Sequence, residues 1–132
     1  MPYQTMWAVA GRVLVLQYEG RLVREVFQRG IQTADALCRA EPDADLIHII
    51  IDTSAATQVA SDLLRYATLQ AIIVQLRGEV RLGYVLYVDR DVNAVIDTVF
   101  RQTFTQYRTF HRVEDAIAFL YGIDPTLSAP DD

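Results

Sequence analysis

Lysine is missing from this chain, and all twelve of its basic residues are arginine. That absence excludes a phosphate loop built on its lysine and a Schiff-base enzyme built on its amine. There is one cysteine, Cys38, which can neither close an intrachain disulfide nor supply a cysteine-rich zinc site. Basic runs are also absent and the net charge is -5. Nucleic acid and anionic membrane surfaces are therefore poor partners, because a polyanion is bound by clustered positive charge. Apolar runs are broken by polar or charged residues well short of a membrane span. The opening MPYQTMWAVAG shows no basic segment followed by an apolar one. No secretory signal is expected, and the reading places the chain in the cytoplasm without membrane insertion.

What is present is 132 residues, 52% of them hydrophobic. This suits one α/β domain with its own core rather than a disordered chain. Tyr3 to Ala10 and Arg12 to Glu19 read as strands joined at Ala10-Gly11, with Gly20 ending the second. Val23, Val26, Phe27, Ala34, Leu37 and Cys38 then recur at helical spacing, ending before Pro42. Gly30 inside this helix permits close packing against the sheet.

DADLIHIIIDTS reads as a central parallel strand buried on both faces. A helix from Ala60 to Arg77 follows, with Gly78 placed as its cap. Its end, LQAIIVQL, is apolar on too many sides for an ordinary surface helix, and residues 71–76 also suit a strand. RLGYVLYVD is a second buried strand, and Asp89 or Asp91 is placed to cap the next helix. That helix carries the stripe Val92, Val95, Ile96, Val99, Phe100, Thr103 and Phe104. A short strand, Tyr107 to His111, and a short helix marked by Val113, Ala116, Ile117 and Leu120 complete the order β-β-α-β-α-β-α-β-α. This implies a mixed, mostly parallel sheet over residues 1–122, with 123–132 a frayed acidic tail.

Candidate chemistry is sparse. Asp52 and Asp89 both follow buried strands, and two carboxylates meeting at the carboxyl edge of the sheet could hold Mg²⁺ or share acid–base work. Aspartate after a strand is also simply favoured in turns and caps. His48, on the face of Leu46 and Ile50, reads as a neutral, hydrogen-bonded core histidine. His111 sits between the last strand and helix, where it caps weakly or faces solvent, and two histidines are too few to indicate a metal site. Cys38 reads as an inert packed thiol. Tyr84 and Tyr87 fall on opposite faces of their strand and either line a cavity or pack the core. Neither a cofactor nor a metal is expected.

The element order and the stretch IIIDTSAATQVASDLLRY resemble the STAS domains, the fold of bacterial anti-sigma-factor antagonists and, more loosely, of their lipid-binding-like relatives. In the antagonists a central strand ends in Asp-x-Ser. Asp-Ser-Ser-Gly-Leu follows at a helix start, where a serine is phosphorylated. Asp52, Thr53 and Ser54 look like the first part. Without gaps, Ala60, Ser61, Asp62 and Leu63 fall on Asp, Ser, Ser and Gly. Ser61 thus matches the first serine, and Asp62 stands where the phosphorylated one would be. FHRVEDAIAFL resembles the short closing helix, commonly Glu-Ala-x-x-x-Leu, of the more distant members. Asp62 would act as a fixed charge at a helix N-terminus, or it and Ser61 would be ordinary caps.

Three functional expectations follow. The first is a non-enzymatic, STAS-like regulatory module docking a protein partner through Ser54 to Leu64, with Asp52, Ser54, Ser61 and Asp62 as its contact or switch residues. The second is a carrier of a small apolar ligand or lipid, held between LQAIIVQL and the sheet near Tyr84, Tyr87 and Asp89. The third is an enzyme using Asp52 and Asp89. Across all three, the apolar helix invites a homodimer.

Overall fold

The uncharged run Tyr3–Val9 forms β1, and β2 (Val13–Leu22) folds back along it. Gly11 supplies the turn at φ 68°, with the Arg12 N–H donating to the Val9 carbonyl at 2.9 Å. The remaining elements are α1 (Arg24–Arg39), β3 (Ile47–Val59), α2 (Tyr66–Ile73), a 3-10 turn (Val74–Arg77), β4 (Leu82–Val88), α3 (Ala94–Thr103), β5 (Tyr107–Phe110) and α4 (Val113–Ile123). This computed structural model describes residues 2–41, 46–77 and 82–127. Gly78 lies outside the described residues.

The strands form one sheet in the order β1-β2-β3-β4-β5. β1 is antiparallel to β2, and the other neighbours are parallel. Alternation along each strand divides the core in two. Leu14, Leu16, Ile49, Ile51 and Tyr87 face one way and pack with residues of α1, α2 and α3, such as Phe27, Ile72 and Phe100. Val13, Val15, Ile50, Leu86 and Val88 face the other way and pack with Ala116, Leu120 and Leu127. β3 is fully buried from Ile47 to Thr53 because it has strands on both edges and helices on both faces. Its continuous apolar run follows from that position.

Three boundaries differ from the sequence reading. First, β2 does not end at Gly20. It passes through that residue at φ 71° and runs to Leu22, with register shifts between Gln17 and Glu19 and again between Gly20 and Arg21. Glycine makes these bulges inexpensive. Second, β3 continues to Val59 because Ala55, Ala56, Gln58 and Val59 pair with the extended β2. Third, α2 starts at Tyr66 rather than Ala60. Residues 60–64 instead make tight turns, with Leu63 N–H donating to the Ala60 carbonyl and Leu64 N–H to that of Ser61.

Residues 71–76 are helix passing into 3-10 turn, not strand. Leu69, Ile72, Ile73 and Leu76 point inward and are buried. They join the core cluster that also holds Ile49, Ile51 and Tyr87. α3 is capped by Asn93, whose Oδ1 accepts from the N–H groups of Val95 and Ile96 at 3.0 and 3.1 Å, and not by Asp89 or Asp91. The tail expected to fray from residue 123 is packed as far as Leu127, which is buried beside α4.

Gly30 lies where α1 crosses β2. A methyl there would overlap the Tyr18 ring, whose hydroxyl donates to the Phe27 carbonyl at 2.6 Å in the buried interior. Gly30→Ala should therefore destabilise the protein by about 1–2 kcal/mol. Overpacking outweighs the roughly 1 kcal/mol of helix propensity that alanine brings. Urea unfolding of the two proteins measures the difference.

Candidate functional site

The carboxyl ends of the parallel strands hold most of the polar residues singled out in the sequence. Asp52 follows the apolar run of β3 and points to the α4 side of the sheet. It is only 3% exposed. Its Oδ1 accepts from the Ser54 N–H at 2.9 Å and from the Ser54 hydroxyl at 2.6 Å. Both residues line an open cleft of about 640 Å³, walled by Met6, Val15 and Val113 and rimmed by Arg90, His111, Arg112 and Glu114. The rim mixes charges of both signs. The His111 Nδ1–H donates to the Asp89 carbonyl at 3.2 Å, and the ring is exposed.

Asp89 does not join Asp52. The β3–β4 register sets Asp52 opposite Val88, so Asp89, one residue further on, turns to the other face. There its Oδ2 accepts from the Thr53 hydroxyl at 2.7 Å and the Tyr87 hydroxyl at 3.2 Å. The sheet therefore separates the two carboxylates proposed for acid–base or Mg²⁺ chemistry. Among the described residues no cluster of three or more His, Cys, Asp or Glu could hold a metal ion.

The tyrosines divide as expected, one to each face. Tyr87 is fully buried and stacks on Phe100 at 5.8 Å. Burial, above all, pushes its hydroxyl up to about 12, so it is a packing residue with a satisfied polar end. Tyr84 packs edge-on against Phe119 of α4 at 5.3 Å. Cys38 is buried in the α1 core, and burial raises its thiol to about 12, leaving it inert as a nucleophile. Ser61 and Asp62 are both exposed in the turn before α2. Arg65 is the N-cap of that helix, so neither Ser61 nor Asp62 caps it.

His48 is the neutral core histidine expected, and its surroundings show why. Its Nδ1 accepts the Tyr84 backbone N–H at 2.9 Å, which leaves the ring proton on Nε2. Nε2 donates to Asp124 Oδ2 at 2.7 Å. Asp124 also takes the Arg12 guanidinium at 3.1 Å and, at Oδ1, the Thr126 N–H at 2.9 Å and its hydroxyl. Burial opposes ionisation of Asp124. The hydrogen bonds from Thr126 and His48 outweigh that cost and hold its carboxyl down at about 2. Arg12 also donates to the Thr126 hydroxyl at 2.7 Å, tying residues 124–126 to the start of β2.

Both ring nitrogens of His48 are thus engaged within the protein. Sequence reading missed Arg12, Asp124 and Thr126. The one local signal was Asp124-Pro125-Thr126, where an aspartate accepts from the backbone two residues on. Arg90 and Arg112 carried no signal at all.

Neither a family model nor a curated protein matches this chain. Solved structures do match. The anti-sigma factor antagonist SpoIIAA in its unphosphorylated form superposes with a TM-score of 0.56 at 17% identity, covering 92% of this chain and 99% of that one. The fold is that of SpoIIAA. A Shewanella loihica protein of the DUF3478 family, described as SpoIIAA-like, has a TM-score of 0.53 at 14% identity over 89% of this chain and 91% of its own. The phosphorylated form of SpoIIAA, a Bacillus cell-fate determinant, gives 0.53 and 14% over 89% and 98%. The STAS-like fold anticipated from the element order and from the stretch 49–66 is thus present. The phosphoacceptor pattern is not kept, since Asp62 and Leu63 stand in the second-serine and glycine positions.

Proposed function

We propose that this STAS-like chain is a non-enzymatic regulatory module, working in the cytoplasm, that docks an extended segment of a protein partner along Ser54 to Leu64. The observation that carries this reading is the far half of β3. Among the described residues, β3 beyond Asp52 pairs with β2 on one side and with no strand on the β4 side. That leaves backbone groups on which a partner strand can add. Thr57, Gln58, Ser61 and Asp62 are exposed along this stretch. SpoIIAA, whose fold it shares, is an anti-sigma factor antagonist solved in phosphorylated and unphosphorylated forms. Fold alone does not carry function, so the argument rests on the surface itself.

A photo-cross-linking residue at Gln58 should trap a discrete adduct in cells. The same probe at Gln32, exposed on α1, should not. Equal labelling from both positions, or none from Gln58, overturns the docking site. If phosphate regulates docking, the accessible acceptors are Ser61 and Thr57, because the Ser54 hydroxyl is half-buried and engaged by Asp52. Mass spectrometry after incubation with ATP and extract of the source cells should find phosphate there. Its absence from Ser54, Thr57 and Ser61 removes the switch.

A small ligand in the cleft is the second reading. It is favoured by the buried Asp52 carboxylate and Ser54 on the floor of an open 640 Å³ space. Native mass spectrometry of freshly purified protein should show a retained molecule, and a clean apo mass counts against it.

A further inference from the structure

The two edges of the sheet are unequal. β5 is four residues long and carries Arg108, whereas β1 has seven residues, YQTMWAV, with no charge and no proline. Natural edges are usually guarded by short length, lysine, proline or inward charges, because an unpaired edge is a template for another strand. β1 has none of these guards, and its Met6 is 60% exposed.

The ladder shows which backbone groups are open. Glu19 N–H donates to the Pro2 carbonyl at 3.0 Å, marking that opposed pair as hydrogen-bonded. Bonded and non-bonded pairs alternate in an antiparallel ladder. Gln4–Gln17 and Met6–Val15 are therefore bonded pairs, while Tyr3, Thr5 and Trp7 direct their N–H and C=O groups away from β2.

We propose that this edge pairs with itself, joining two copies of the chain antiparallel about a two-fold axis at Thr5. In that register Thr5 faces Thr5 of the second copy and Tyr3 faces Trp7. Each such pair exchanges both of its outward hydrogen bonds. Aromatic and threonine cross-strand pairs are favourable on such a ladder. A two-fold axis brings every residue of the segment against its own sequence, so a charged edge would repel itself. This edge is neutral in a protein of net charge -5, so a second copy meets it here without the charge repulsion expected over the rest of the surface. The apolar helix α2, the dimer surface suggested by sequence, buries Leu69, Ile72 and Ile73 in the core and leaves Tyr66 and the following Val74 exposed.

Sedimentation equilibrium of the full chain should show a dimer at micromolar concentration. Thr5→Pro removes an outward donor and no β1–β2 bond, and residues in strands tolerate the proline φ at an edge. It should weaken dimerisation at least tenfold while circular dichroism and the melting temperature of the monomer are kept. Thr5→Cys should form an intermolecular disulfide under mild oxidation, since paired positions in a ladder lie within disulfide reach. Cys38 is buried and does not compete. A wild-type monomer, a dimer unaffected by Thr5→Pro, or a Thr5→Cys protein that stays uncross-linked would each overturn the proposal.

Discussion

Alanine at Gly83 is expected to lower stability by about 3 kcal/mol or more, equivalent to a fall in melting temperature of about 10 °C. In most strands the same change helps, because glycine loses more backbone entropy on folding than alanine does. Here the new methyl would overlap the His48 ring, from Nδ1 to Cε1. A flexible side chain would move aside, but this ring is 2% exposed and held at both nitrogens. Moving it breaks the bond from the Tyr84 N–H, the bond to Asp124, or both, and leaves buried polar groups without partners. Thermal unfolding of Gly83→Ala measures the loss. A variant as stable as the parent would show that the His48 ring or β4 accommodates the methyl without losing these bonds.

Asp124→Ala should be nearly as costly, at about 2–4 kcal/mol. It strands the buried Nε2–H of His48 and removes the carboxylate facing Arg12. The acid limb of the stability profile tests the same contact by a second route. The Asp124 carboxyl is lowered from 3.8 to about 2 in the folded chain. The unfolded chain therefore binds a proton in this interval that the native chain refuses. The stabilisation is complete above pH 3.8 and is lost as pH falls through about 2. Asp124→Asn abolishes this titration. Its stability should fall less steeply with acid over that interval than that of the parent, measured as denaturation midpoints at successive pH values.

The parts of the fold that were legible in the sequence are those written in local periodicity. The α1 stripe, the α3 stripe and the run LIHIIID each report burial by nearby residues, and each element stands where its pattern put it. Apart from the α3 cap, which is Asn93 rather than Asp89 or Asp91, the failures are non-local. AATQVAS has neither helical nor strand period, and the sequence reading starts a helix at Ala60. What decides its conformation is pairing with Glu19–Leu22, possible only because Gly20 carries the bulge. Asp52 and Asp89 looked like a pair because each ends a strand. Their separation depends on a one-residue offset in register that neither segment encodes alone. His48 was recognisable as a core histidine from its apolar neighbours. Its acceptor lies 76 residues away and carried no mark of that role.

That long reach has a consequence for how the molecule is made. The ribosome completes the central strand well before it adds Asp124. In the interval Asp124 is not there to accept the His48 proton, and closing the core around the ring would carry an uncompensated desolvation cost. The final packing around His48 needs residues 124–126 in place against Arg12 and His48. A product cut off at Gly122 bears that deficit permanently and spends more time open to proteases.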